Sequence, residues 1–298
     1  MLDQIKTPRV PEQDFSWGPS DEELASWEMV YRDDLFKDQV VIVTGGGSGM
    51  GKGMAFMFAR LGAKVTICSR NEQRLAQTQQ AISEHVGVDI DIQAMTIRDP
   101  EDVAELFSNV VSKHGKLDLL VNNAGGQFPQ PAIDFSVKGW NAVIDTNLNG
   151  TWHMMQAAAK YWRDSETPGN IVNIVANVQR GMPQVAHTCA ARAAVIYLSK
   201  SVSTEWAPLN IRVNCVSPGS IATNGLNVYP HDAAARFKDS NPMRKFGDIY
   251  DVAQAVAYIA GPSGKFITGE VLTVDGGNNQ WGDTWPGGIP DYFDVDYK

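Results

Sequence analysis

Short apolar runs alternate with longer amphipathic stretches from residue 39 onward. The runs QVVIVTG (39–45), KVTICS (64–69), IDIQAMTI (90–97), LDLLVNNAG (117–125), NIVNIVAN (170–177), IRVNCVSPG (211–219) and EVLTVDGG (270–277) are predicted strands. Apolar runs this short and this continuous mark strands covered on both faces, the habit of a parallel sheet. Between them the helical period predicts helices at 50–61, 71–85, 100–114, 136–162 with a break, 187–206 and 248–260. Asp99-Pro100 supplies a helix start, with the aspartate as cap and the proline in the first turn. This βαβα order predicts an α/β fold: one doubly wound, seven-stranded parallel sheet, a Rossmann fold, as a single domain over residues 39–277.

Three segments break the rhythm. TNGLNVYPHDAAARFKDSNPMRKFGD (223–248) is interrupted by Gly, Asn and Pro and reads as a lid insertion, or as a plain surface excursion. Residues 1–38 and 278–298 read as N- and C-terminal arms, and carry Phe15, Trp17, Trp27, Trp281, Trp285, Tyr292 and Phe293. Aromatics at that density are seldom left in water. The arms are therefore expected to pack on a neighbouring subunit or close a substrate pocket, disordered tails being the alternative.

Charge sharpens this division. The chain has a net charge of −9; residues 1–38 hold −6 of it, residues 278–298 hold −3, and the body is balanced. Nucleic-acid binding, which needs a basic stripe, is excluded. No apolar run reaches the roughly eighteen residues of a membrane helix. The N-terminal MLDQIKTPRVPEQDF lacks the apolar core of a secretory signal and the final DYK is not a peroxisomal address, so a cytoplasmic protein is expected. Cys68, Cys189 and Cys215 are too widely spaced for a zinc site or a disulfide frame. They are expected to be packing residues, and no metal site is expected.

Chemistry enters with TGGGSGMG (44–51), which follows the first predicted strand and opens the first helix. Glycines at 45, 49 and 51 let the backbone approach a pyrophosphate at the helix N-terminus. The second strand ends at Ser69-Arg70, eighteen residues beyond Gly51, where an acid would hold the ribose 2′-hydroxyl of NAD. A hydroxyl and a guanidinium fork there suit the 2′-phosphate of NADP(H) instead, with Lys52 as further help.

Together with NNAG (122–125), NLNG (147–150) and SPGSIAT (217–223), this turn resembles the short-chain dehydrogenase/reductase family over roughly residues 36–277. NNAGGQF, KGWNAVIDTNLNGTW and HTCAARAAVIYLSKSVSTEW are similar, more narrowly, to the peroxisomal trans-2-enoyl-CoA reductase branch and its bacterial relatives. The resemblance implies that Gly45, Ser48, Gly49, Met50 and Gly51 bind pyrophosphate. It places Thr96 and Ile97 beside the adenine, although Thr96 stands where many members have an aspartate. It runs Asn123, Ala124 and Gly125 past the adenine ribose and sets Pro218, Gly219, Ile221 and Thr223 on the nicotinamide carboxamide. Asn147 matches the asparagine that kinks the fourth helix and holds a water. A homotetramer is expected, with an arm crossing to a neighbour.

The resemblance also exposes a substitution. Most members use a Ser, a Tyr and a Lys, the lysine lowering the phenol pKa so that it can exchange a proton with the substrate. Here Val175-Ala176-Asn177 replaces the serine region, and Thr188 and Arg192 stand at the tyrosine and lysine positions, on one helix face. An arginine does not give up its proton and an aliphatic alcohol is a far weaker acid than a phenol, so ordinary alcohol oxidation loses its base. Reduction of a conjugated C=C bond needs only donors aimed at the carbonyl oxygen. Thr188, His187 and Asn177 are candidate donors, Arg192 a grip on the nicotinamide ribose, and Tyr161 and Tyr197 packing residues. Three readings follow: an NADPH-dependent reductase of an enoyl thioester, an acyl-CoA among the candidates; a ketoreductase or alcohol dehydrogenase with another proton relay; or an inactive nucleotide-binding subunit. Against a CoA ester stands the lack of an obvious basic patch for its phosphates.

Overall fold

The computed structural model describes residues 17–281. Seven parallel strands form one sheet: β1 (Val40–Thr44), β2 (Lys64–Ser69), β3 (Asp91–Ala94), β4 (Leu119–Asn122), β5 (Gly169–Ile174), β6 (Ile211–Pro218) and β7 (Val271–Val274). Their spatial order is β3-β2-β1-β4-β5-β6-β7. The chain winds one way from β1 to β3 and the other way from β4 to β7, so a crevice opens where β1 and β4 part at their C-terminal ends.

The described helices are α1 (Asp21–Ser26), α2 (Gly49–Arg60), α3 (Glu72–Val86), α4 (Pro100–His114), α5 (Val137–Ile144), α6 (Gly150–Asp164), α7 (Ala186–Trp206), α8 (His231–Ala235) and α9 (Ile249–Ala260). Alternation along β1 divides the core. Val41 and Val43 face the layer of α2 and α9, with Met54, Phe58, Val256 and Ile259. Val40 and Ile42 face the layer of α4 and α6, with Leu106, Met155 and Trp162. Asp99 caps α4 by accepting from the Glu101 N–H, with Pro100 in the first turn. The predicted break in the long fourth helix is a π-helical turn, Asp145–Asn149, between α5 and α6.

Strands β3, β4 and β7 are at most half as long as the apolar pattern implies. After Asn122 the chain leaves the ladder because the N–H groups of Asn123 and Ala124 donate to the Thr44 hydroxyl, at 3.0 and 2.9 Å. After Ala94, Thr96 turns its N–H to the Asp102 carboxylate. These departures shape the mouth of the crevice.

Residues 223–248 carry local structure of their own: a helical turn Asn224–Val228, helix α8 and a turn Arg236–Ser240. Leu226, Ala234 and Asn241 are buried and pin them down. The described part of the N-terminal segment packs on its own chain. Leu24 and Phe36 enter the core, Trp27 lies edge-on to Tyr250 at 4.1 Å, and Trp17 sits 5.5 Å from His231 and 5.4 Å from Phe246. On the C-terminal side, Asn278 receives a bond from the Asn177 amide and gives one to the Ser240 carbonyl. Phe15, Trp285, Tyr292 and Phe293 lie outside the described residues.

Cys68 and Cys215 are buried, and burial pushes their thiols up to about 12 and about 11. Cys189 is half-buried and accepts from the Met182 N–H at 3.2 Å. Among the described residues no helix is long and apolar enough to cross a membrane.

Candidate active site

The turn after β1 is built for close approach. Gly45 and Gly49 have φ of +70° and +52°, in the left-handed region. At Gly51 a Cβ would stand 2.3 Å from the Gly45 carbonyl oxygen, so only glycine lets α2 cross there. Ser48 precedes α2 in extended conformation and its hydroxyl makes no capping bond. A cleft of about 1070 Å³ runs from this turn across the ends of β2 and β4. It brings together Gly45, Ser48, Gly49 and Met50 with Ser69 and Arg70, then Thr96 and Ile97, then Asn123, Ala124 and Gly125, and reaches Thr223. Gly51 lies behind it as a packing position. Pro218 and Gly219 stand at the end of β6 away from its lining. Ile221 is buried in the core and keeps only its backbone for a ligand.

At the β2 end the structure adds a residue that the sequence reading missed. Arg74 lines the cleft beside Arg70, and neither guanidinium is in an ion pair among the described residues. Glu72 shares this wall. Arg74 is in the first turn of α3, where a cation opposes the helix dipole. That misfit is the signal by which it could have been found. Lys52 does not help there: its ammonium pairs with Asp21 of α1. Bare glycine turns, an open helix start and two unpaired guanidiniums at the β2 end fit a dinucleotide carrying an extra phosphate.

Deeper in, α7 presents Thr188 and Arg192 side by side, both buried. The Thr188 hydroxyl has no hydrogen-bond partner among the described residues, which is rare for a buried hydroxyl. Arg192 Nη1 donates to the Ile174 carbonyl at 2.9 Å, and burial brings its pKa down to about 10. Asn147, in the π turn, closes on Gly126 with two bonds of 2.9 Å, Nδ2 donating to its carbonyl and Oδ1 accepting from its N–H. The Asn147 side chain thus clamps the loop after β4, and its place in the π turn is the expected kink of the fourth helix.

The other candidates move. His187 is fully buried, stacked on Phe135 at 4.5 Å and edge-on to Phe128 at 4.7 Å. Its Nδ1 accepts from the Thr188 N–H and burial lowers its pKa, which favours the neutral ring, while Nε2 has no hydrogen-bond partner among the described residues. The Asn177 amide donates to Asp275 at 2.9 Å and Asn278 at 2.8 Å, which ties the loop after β5 to the chain after β7 and removes it as a free donor. Tyr161 is packed beside the α4–α6 core layer, whereas Tyr197 is exposed, with Lys200 over its ring.

The comparisons agree with this geometry. The enoyl-(acyl carrier protein) reductase family model matches residues 45–279. A probable 2,4-dienoyl-CoA reductase of Bacillus subtilis is 36% identical over 83% of this chain and 98% of its own. The peroxisomal 2,4-dienoyl-CoA reductase of Mus musculus is 34% identical over 90% of this chain and 92% of its own. A solved short chain dehydrogenase from Bacillus anthracis superposes with a TM-score of 0.77 at 39% identity, covering 81% of this chain and 97% of that one. The fold and cleft are those of an oxidoreductase built on a dinucleotide-binding sheet. This chain belongs to the short-chain dehydrogenase/reductase family. The Bacillus subtilis and Mus musculus relatives are both named for 2,4-dienoyl-CoA.

Proposed function

We propose that the chain is an NADPH-dependent reductase of a conjugated C=C bond in an acyl-CoA thioester. The observation that carries this is the pair on α7: a buried hydroxyl without a partner beside a guanidinium that burial alone does not deprotonate near neutral pH. Such a pair donates hydrogen bonds and withdraws no proton. Bound NADPH would supply hydride to the far carbon of the conjugated system. Gly45, Ser48 and Gly49 would hold its pyrophosphate, Ser69, Arg70 and Arg74 its 2′-phosphate, and Arg192 the nicotinamide side. Thr188 would donate to the thioester oxygen as negative charge gathers there.

The CoA half is supported by the relatives' names and by the lid. Arg236, Lys238, Arg244 and Lys245 are exposed there, and none is in an ion pair among the described residues. These four bases stand against three lid acids, Asp232, Asp239 and Asp248, so the segment carries one net positive charge. NADPH consumption on 2,4-dienoyl-CoA, enoyl-CoA, their short N-acetylcysteamine thioesters and simple ketones tests the reading. Turnover of conjugated thioesters alone, with a lower KM for the CoA esters that rises with salt, is the expected result. Turnover of isolated ketones overturns it.

A further inference from the structure

The phenol missing from α7 has a counterpart on the lid, two residues beyond Asn227, which lines the cleft. Tyr229 follows the helical turn Asn224–Val228 of the lid, is half-buried, and packs edge-on against Phe237 at 4.9 Å. Its Oη accepts a hydrogen bond from Gln127 Nε2 at 2.5 Å. Gln127 follows Gly126, which the Asn147 amide clamps, and precedes Phe128, whose ring packs on His187 next to Thr188. Cys189, on the other side of Thr188, is near enough to act electrostatically on the phenol. A lid tyrosine is thereby tied to the loop after β4, whose Gly125 lines the cleft and lies against Arg192. The bond from Gln127 uses a lone pair of Oη and leaves the phenolic proton uncommitted.

We propose that Tyr229 is the catalytic acid of the reduction, a phenol delivered by the lid in place of one on α7. The proposal rests on the reading of the site as a conjugated-thioester reductase. Once the far carbon has been reduced, the electron pair of the C=C bond lies in a thioester enolate. The Tyr229 O–H bond breaks as a C–H bond forms on the enolate carbon chain, the carbonyl re-forms, and the phenolate regains a proton from water. The C=C bond has then gained two hydrogens and the side chain is unchanged. Burial raises the Tyr229 pKa and the Gln127 bond offsets part of the rise, which keeps the phenol protonated at neutral pH.

The test compares wild type, Tyr229→Phe and Gln127→Leu with 2,4-hexadienoyl-CoA as the probe. Tyr229→Phe should lower kcat by about 10², while KM, NADPH binding followed by fluorescence, and the melting temperature hold. The wild-type pH profile should fall at alkaline pH as the phenol ionises, and that limb should be absent from the Phe variant. Without nucleotide, the ultraviolet difference titration of wild type minus Tyr229→Phe should show one phenol ionising above the usual tyrosine range. Gln127→Leu should keep the alkaline limb but shift it, which preserves the test if Tyr229→Phe folds poorly. A Tyr229→Phe rate within about threefold of an active wild type overturns this proposal and leaves the reductase reading standing. A wild type inactive on the dienoyl probe overturns both.

Discussion

The Arg192 guanidinium fills the space in which a side chain at residue 125 would stand: a Cβ on Gly125 would lie 2.0 Å from Nη2. The arginine is thus held between the loop after β4 and the Ile174 carbonyl. Gly125→Ala should displace it and mimic its loss. Both Gly125→Ala and Arg192→Ala are expected to weaken NADPH binding by at least about tenfold, or 1.4 kcal/mol, and to lower kcat with it. Arg192→Lys keeps the charge without the fork and should fall between. Fluorescence titration beside steady-state rates checks this, and unchanged binding in all three variants would refute it.

Thr188→Val removes a buried hydroxyl that has no partner among the described residues. A buried polar group without a bond contributes nothing to stability, so the melting temperature should hold or rise. The rate on the best thioester should drop by about 10², near 2.7 kcal/mol, the cost of one oxyanion donor. A rate within about twofold of wild type would show that the hydroxyl is not aimed at the reacting oxygen.

At the β2 end, NADPH should bind at least about tenfold more tightly than NADH, roughly 1.4 kcal/mol. Arg70→Ala should erode that preference, and adding Arg74→Ala should remove it, with NADH affinity nearly constant. Equal losses for both nucleotides would assign the arginines to the fold.

Acid stability follows from His187. Burial lowers its folded pKa, so below the reference value of about 6.5 the unfolded chain takes up a proton that the folded chain refuses. Stability contributed by the neutral ring is therefore present above about pH 6.5 and lost as pH falls through the folded value. Denaturant unfolding between mildly acidic and neutral pH should show this slope in wild type and a shallower one in His187→Phe. Parallel slopes would contradict it.

Assembly is expected from two bare surfaces. Among the described residues, helix α5 and its approach expose Ile133 (93%) and Val137 (77%), α7 exposes Tyr197 (71%), and β7 pairs only with β6. Large apolar groups and open strand edges are usually covered. We expect a homotetramer by light scattering, and Val137→Glu with Tyr197→Glu should reduce the mass. A monomeric wild type at micromolar concentration would refute the expectation.

The sheet was legible because strands such as VVIVT and LLVN are buried along their whole length and read as apolar runs closed by one polar residue. Their ends were not. At Asn123 the sequence stays strand-like while a hydroxyl on a different strand, Thr44, draws the backbone out of the ladder. Helix α1 announces itself by the Ser20–Glu23 capping box, yet its acids merged with those of the surrounding segment. The glycine turn and Arg70 were readable from local spacing. Tyr229 and the fate of the Asn177 amide were not, because each depends on a partner about a hundred residues away, with no periodicity to betray it.

Trp17 and Asn278 come from opposite sides of the sheet-forming sequence and meet on the same lid, one through His231 and Phe246, the other through Ser240. The pocket therefore hangs on two tethers that lie outside the strand-and-helix repeat. Trimming either one should broaden the range of thioesters admitted before it costs any affinity for the cofactor.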